Sequence, residues 1–184
     1  MSSFTRPQLR TAVARLATCI AIVMILTVTG AAQSTLSVPA GHPTITAAVN
    51  AATYLDTIEV DAAAYNASNP NETLAFGAGV SMAGLTIKSN SSLLINVTGG
   101  VQFSNVGTID GLTLRDLHVT GESSGASINM GNAGVLANFV ILNCVIDGED
   151  AAGRHAIRGG NLSQSLVMSD CEITNSLGWS TFDT

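Results

Sequence analysis

Three ten-residue stretches of the chain align without a gap: Leu112-Thr-Leu-Arg-Asp-Leu-His-Val-Thr-Gly121, Phe139-Val-Ile-Leu-Asn-Cys-Val-Ile-Asp-Gly148 and Leu166-Val-Met-Ser-Asp-Cys-Glu-Ile-Thr-Asn175. Their starts follow a constant step (139 − 112 = 166 − 139 = 27), and Leu85-Thr-Ile87 sits one such step upstream. A fixed period in this range belongs to solenoids, propellers and arrays, in which each repeat buries its apolar face against its neighbours. Apolar residues alternate at Leu112 and Leu114, slip phase at Arg115-Asp116, and resume at Leu117 and Val119. Such a slip between two period-2 runs predicts a corner, where the chain turns while its apolar side stays inward. Asp116, Asn143 and Asp170 occupy that corner. Asx side chains tolerate left-handed backbone and can bond neighbouring peptide groups.

The same step stacks Phe103, Met130 and Ile157, and it also stacks Gly84, Gly111 and Asn138. The chain is 46% hydrophobic with 18 Gly and only 11% charged residues, which reads as short strands joined by tight turns rather than as a helical domain. Three strands and three turns fit one period, and coils would pair in parallel at about 4.8 Å. A leucine-rich repeat fits poorly, because Gly and Asn fill the turns where helix formers are needed.

Residues 1–32 read as a signal peptide. Arg6, Arg10 and Arg15 precede an apolar run from Leu16 to Val28, and Gly30 and Ala32 suit a cleavage site. The competing reading is an uncleaved anchor, since Leu16 to Gln33 is uncharged and just long enough to span. Leu16-Ala-Thr-Cys19 fails as a lipobox, because the apolar core follows the Cys. Beyond residue 32, four basic residues (Lys88, Arg115, Arg154, Arg158) face all 13 acidic ones, a balance of 4 − 13 = −9. That sign repels phosphate backbones and argues against nucleic acid. It suits cations or neutral glycans.

Between Ser37 and Val60, Thr44 fits an N-cap, and Ile45, Ala48, Val49 and Ala52 share one helical face. Thr57-Ile-Glu-Val60 then alternates as a strand. A short amphipathic helix followed by a strand is expected to close the open end of a solenoid. The run Pro43-Thr-Ile-Thr-Ala-Ala-Val-Asn-Ala-Ala52, then Asp56-Thr-Ile-Glu-Val60 and Tyr65, resembles the N-terminal cap of secreted right-handed parallel β-helix proteins, the pectate-lyase-like superfamily. Leu55 stands where that family usually has Gly, and Ala62-Ala-Ala-Tyr65 where it has a Pro-Gly-x-Tyr turn.

The fold expected from period and resemblance is therefore all-β: a right-handed parallel β-helix, a solenoid of about 27 residues per coil, with a short N-terminal capping α-helix. It would occupy 33–184 with the cap at 37–65. The chain ends at Thr184, where the next coil should be starting, so a truncated chain with further C-terminal coils, or end-to-end association, is expected.

Chemistry is harder to place. The most polar stretch is Asp147 to Arg158. The resemblance implies a substrate cleft along this strand and its loops, carboxylates that hold calcium, and an Arg or Lys that removes a proton beside a uronate carboxylate. On that implication Arg154, His155 and Arg158 are the catalytic candidates, and Asp147, Glu149 and Asp150 the binding ones. A solvated turn with local ion pairs is the plain alternative. The paired Asp, Gly-His-Gly and Arg-x-Lys motifs of polygalacturonase-like hydrolases and the lyase calcium pattern are absent, so no catalytic residue carries over. Cys144 and Cys171 lie one period apart in an inward column, and two states fit them: reduced core thiols or a disulfide between adjacent coils. Arg115 and His118 flank the corner and should face out. Sequons occur at Asn66, Asn71, Asn90, Asn96 and Asn161. A regular Thr-x-Thr ladder on a flat face would suggest ice binding, but Thr113 and Thr120 show no repeat at matching columns, so ice binding is not expected.

Three functions remain in order: a secreted cell-surface or carbohydrate-interaction module with polysaccharide as partner and no cofactor; a polysaccharide lyase or hydrolase acting on polyuronates, with calcium; and a passenger or adhesin fragment of a longer exported protein. After signal cleavage no membrane association is expected.

Overall fold

A computed structural model describes residues 33–69, 71–78, 80–121, 125–148, 155–159 and 165–175, save the side chains of 105 and 132–134. The expected signal peptide, Arg154, Glu149, Asp150, Asn161 and the terminal segment after 175 lie outside these residues.

The described residues form a parallel β-solenoid of about four turns. Fifteen strands and two helices are present among them. Strands β1 (Thr35–Val38), β2 (Thr57–Val60), β5 (Thr86–Ser89), β8 (Thr113–Arg115), β11 (Phe139–Leu142) and β14 (Leu166–Ser169) stack in that order as face A. Face B runs β3 (Leu74–Phe76), β7 (Val101–Asp110), β10 (Ala126–Ala137) and β13 (His155–Arg158), with β4 (Met82–Ala83) also on β7. Face C runs β6 (Ile95–Val97), β9 (Leu117–Val119), β12 (Val145–Asp147) and β15 (Glu172–Thr174). Every pairing is parallel.

The corner predicted from the phase slip is present. Asp116, Asn143 and Asp170 have φ of 61°, 49° and 55°. A second left-handed column runs Leu55, Gly84, Gly111 and Asn138, with φ between 49° and 70°. That column explains why glycine suits position 55, where Leu55 adopts φ 64° with its side chain 43% exposed. Amides tie the corners from coil to coil. Asn143 Nδ2 donates to Asp116 Oδ1 at 2.8 Å, Asn138 Nδ2 to Asp110 Oδ1 at 2.8 Å, and Asn175 Nδ2 to Asp147 Oδ1 at 3.0 Å. In each rung the carboxylate belongs to the lower coil and the amide to the upper one, so these carboxylates do not stack on one another.

Register is not uniform. Thr86 pairs with Thr113 and Val140 with Val167, each at the expected step (113 − 86 = 167 − 140 = 27). Ile95 pairs with Leu117, a step of only 117 − 95 = 22, because Asn90–Leu94 is inserted at a corner where Asp116 leads straight into Leu117. A shorter turn into β7 compensates, and Val101 meets Ile128 at 128 − 101 = 27 again. His155 pairs with Ala126 at 155 − 126 = 29. This corrects the expected Phe103/Met130/Ile157 column: Ile157 lies against Ile128, since the step from Ile146 to His155 (155 − 146 = 9) is two longer than that between their partners Val119 and Ala126 (126 − 119 = 7). Phe103 instead stacks on Phe76 (centroids 4.7 Å, planes 6° apart) and meets Phe139 edge-on at 5.8 Å. The core is a set of inward columns such as Ile58, Ile87, Leu114 and Ile141, all fully buried.

Helix α1 (Ile45–Ala51) starts at Thr44, whose hydroxyl accepts from Ala47 N at 3.0 Å, and it buries Ile45, Ala48 and Val49. Helix α2 (Ala62–Ser68) begins at the Ala62–Tyr65 stretch that departs from the Pro-Gly-x-Tyr turn of the resembled cap. Asp61 caps it by accepting from Ala64 N, and its alanines favour helix once capped. Glu72 links the two helices: it accepts from Ile45 N (3.1 Å) and Thr46 N (2.7 Å) at the start of α1, and from the hydroxyl of buried Tyr65 (2.6 Å) in α2. Helix α1 packs on β1, β2 and β3, and α2 on β6. Beside them Asp56, 1% exposed, accepts from the N–H and hydroxyl of both Thr53 and Ser34. The Thr53 N–H leads in pulling its carboxyl down to about 2, against the opposing effect of burial.

Candidate functional site

Face A carries a threonine column, which corrects the expectation that Thr113 has no repeat at its level: Thr86 pairs with it one period below. Outward residues at one level are Thr35, Thr57, Thr86 and Thr113, followed by Val140 and Val167, each the Cα partner of the next. Four threonines therefore stand in one column, spaced by the rise between strands, about 4.8 Å. β-Branched residues suit this outward position on a pleated sheet. Each hydroxyl can donate one hydrogen bond and accept two, and each methyl offers an apolar contact. The Thr86 and Thr113 hydroxyls take no partner among the described residues.

Two residues on, the same face carries Ser37, Glu59, Lys88, Arg115, Leu142 and Ser169. Lys88 Nζ bonds Glu59 Oε1 at 2.9 Å, and Arg115 Nε reaches Asp116 Oδ2 at 3.4 Å. These surface pairs add little stability, but they line one side of the threonine column with paired charge. Thr86 is visible in the sequence as the residue one period before Thr113. Thr57 and Thr35 are hidden from a strict period, because their steps are 86 − 57 = 29 and 57 − 35 = 22.

The second candidate is the junction of faces B and C, where the sequence placed its site. Asp147 ends β12, and its backbone carbonyl accepts from the hydroxyl of Ser127 on β10. His155 begins β13 beside Ala126, and Arg158 ends it beside Asn129. Asp147 and His155 thus flank the turn between β12 and β13, while Arg158 lies at the far end of β13, beside the buried Asn129. Of the expected set, Arg154, Glu149 and Asp150 fall in the turn outside the described residues. Among the described residues no group of three or more His, Cys, Asp or Glu is placed to hold a metal ion.

Arg115 and His118 lie on different faces, either side of the Asp116 corner, and do not converge. Cys144 and Cys171 are both free thiols in one column. Of the sequons, Asn66 spends its amide as a strut, donating to Leu94 O at 3.0 Å and accepting from Asn96 N at 2.8 Å, whereas Asn71 and Asn90 are exposed. A shallow pocket of about 300 Å³ lies between α1 and β4, lined by Val49, Asn50, Ala52, Val80, Ser81 and Met82, with no titratable side chain. No helix among the described residues is long and apolar enough to cross a membrane. Compared with protein-family models, with curated proteins and with solved structures, the chain matches none.

Proposed function

We propose that this is an exported, right-handed β-helix of the pectate-lyase-like kind, about 27 residues per coil and closed at its N-terminal end by α1, which binds an extended polysaccharide along face A. The threonine column carries this reading. It offers one hydroxyl and one methyl per rung at a spacing close to one sugar unit of an extended chain. Sugars present alternating hydroxyl and C–H surface, the complement of such a column. The excess of acidic residues disfavours nucleic acid as the partner. The basic, apolar, small-residue order of residues 1–32 supports export to the cell surface or medium.

The test is affinity electrophoresis through gels holding single soluble glycans, neutral and uronate-type in parallel. Thr86→Val with Thr113→Val keeps shape and strand preference while removing two hydroxyls. At about 0.5–1.5 kcal/mol per hydrogen bond, the double variant should bind about 5- to 160-fold more weakly. Equal binding by the double variant, or no retardation in any gel, contradicts the proposal.

A second reading rests on Asp147 and His155 on either side of one turn, with Arg158 further along β13: a lyase or hydrolase acting on polyuronates, with calcium as its ion. Release of unsaturated or reducing ends from polyuronate, dependent on calcium, lost in Arg158→Ala and kept in Arg115→Ala, would establish it in place of a binding module.

A further inference from the structure

The cysteine column has a geometry suited to a covalent link. Asn143 N donates to Ser169 O at 3.0 Å and Glu172 N to Cys144 O at 2.9 Å, so the ladder brackets Cys144 and Cys171 as direct neighbours on successive coils. Neighbouring strands bring Cα atoms to about 4.8 Å, inside the range that a disulfide spans. The Cys171 thiol already points down the column, with its Sγ 3.5 Å from Ile141 O on the coil that holds Cys144. The Cys144 Sγ points one coil further down, toward Leu114 O at 3.8 Å. Bonding requires the Cys144 side chain to rotate from Leu114 O toward Cys171. Cys144 is 2% exposed, whereas Cys171 is half-buried.

The two coils also differ in how well they are held. In the lower coil Phe139, Ile141 and Ile146 are fully buried, while their partners Leu166 and Met168 are half-buried and Ile173 is 39% exposed. A link between the coils would act where apolar contacts hold the upper one least.

We infer that Cys144 and Cys171 form a disulfide under oxidising conditions, stapling the coil of β14 and β15 to the coil of β11 and β12. The order of events follows exposure. The Cys171 thiolate attacks a small-molecule disulfide such as oxidised glutathione, forming a mixed disulfide and releasing one thiolate. The Cys144 sulfur then displaces the second glutathione. Two S–H bonds are lost and one S–S bond is made; the two electrons and two protons leave on two glutathione thiols. Burial pushes the Cys144 thiol up to about 12, which agrees with its acting second.

Exchange of the full folded chain in a glutathione buffer, then alkylation and tryptic mapping, tests this. Cleavage after Arg115, Arg154 and Arg158 puts the cysteines in separate peptides, 116–154 and 159–184. The expected product is those two peptides joined, about 2 Da below their summed mass, with a rise in Tm of about 5 °C or more relative to the reduced chain. Cys144→Ala should hold glutathione on Cys171, while Cys171→Ala should leave Cys144 unmodified. Wild-type chain that keeps glutathione on Cys171, or leaves both thiols free to alkylate, overturns the inference; this outcome is read on the wild type and does not depend on either variant folding.

Discussion

The alternation of carboxylate and amide up the corners makes a sharp prediction at Asn143. Its Nδ2 donates to Asp116 Oδ1 at 2.8 Å, Asp116 is only 8% exposed, and Asp170 occupies the same corner one coil above. Asn143→Asp preserves size and left-handed tolerance but replaces a donor with a second carboxylate. A hydrogen bond to a charged group, about 1.5–3 kcal/mol, is lost. Two like charges about 4 Å apart at an effective dielectric of about 20 repel by up to about 4 kcal/mol, and solvent on the exposed side of the corner reduces this. A net loss of about 2–4 kcal/mol at pH 7 is expected by urea denaturation.

The pH dependence supplies the sign. The introduced carboxyl is disfavoured as an anion in the folded state, so its folded pKa lies above the unfolded value of about 3.9. Its destabilising effect is full above the folded pKa and fades as pH falls through it, because the protonated acid can donate as the amide did. Asn143→Ala loses the bond and adds left-handed strain at φ 49° but no charge, so its cost should show no such recovery. If the gap between Asn143→Asp and the wild type does not narrow as pH falls to 4, or the Asn143→Ala gap narrows as much, the reasoning about the corner column fails.

Three further outcomes follow from the same structure. Phe103→Ala should cost about 3–5 kcal/mol in chemical denaturation, with about 0.5–1.5 kcal/mol more for each aromatic partner lost, since Phe103 is 1% exposed between Phe76 and Phe139. Leu55→Gly should stabilise by about 0.5–1 kcal/mol, read as a higher urea midpoint, because relief of about 1–2 kcal/mol of left-handed strain outweighs the added freedom of glycine in the unfolded chain. Asp56 has a folded pKa lowered to about 2 from 3.8. The stability it gives is present above pH 4 and is lost as pH falls from 4 toward 2; Asp56→Asn should be less stable at pH 7 and should lose that part of the acid transition in a pH melt.

Much of this architecture is legible in the sequence. The segments at Leu112, Phe139 and Leu166 are neighbouring strands on face A, and the left-handed Asx corner appears at Asp116, Asn143 and Asp170. Thr44 caps α1 as expected. The rest is hidden because a period search sees only constant spacing. The Asn90–Leu94 insertion and the longer turn before β13 shift partners to steps of 117 − 95 = 22 and 155 − 126 = 29, and the latter misplaces Ile157. Unequal steps near the N-terminal end hide half of the threonine column in the same way. Helix α2 stands where the family pattern has a turn, and the Asp61 cap with the alanines after it was the local signal for it. Of the candidate site, Asp147, His155 and Arg158 lie on the two strands flanking one turn, and Glu149, Asp150 and Arg154 fall outside the described residues.

The most direct measurement of the central claim is a two-dimensional amide and methyl NMR titration of the folded chain with the glycan it retains best. Face A predicts that shift changes centre on Thr57, Thr86 and Thr113, extend to Thr35, Lys88 and Arg115, and leave Asn96, His118 and Val145 on face C unmoved. Changes confined to face C, or to Asp147, His155 and Arg158, would contradict it.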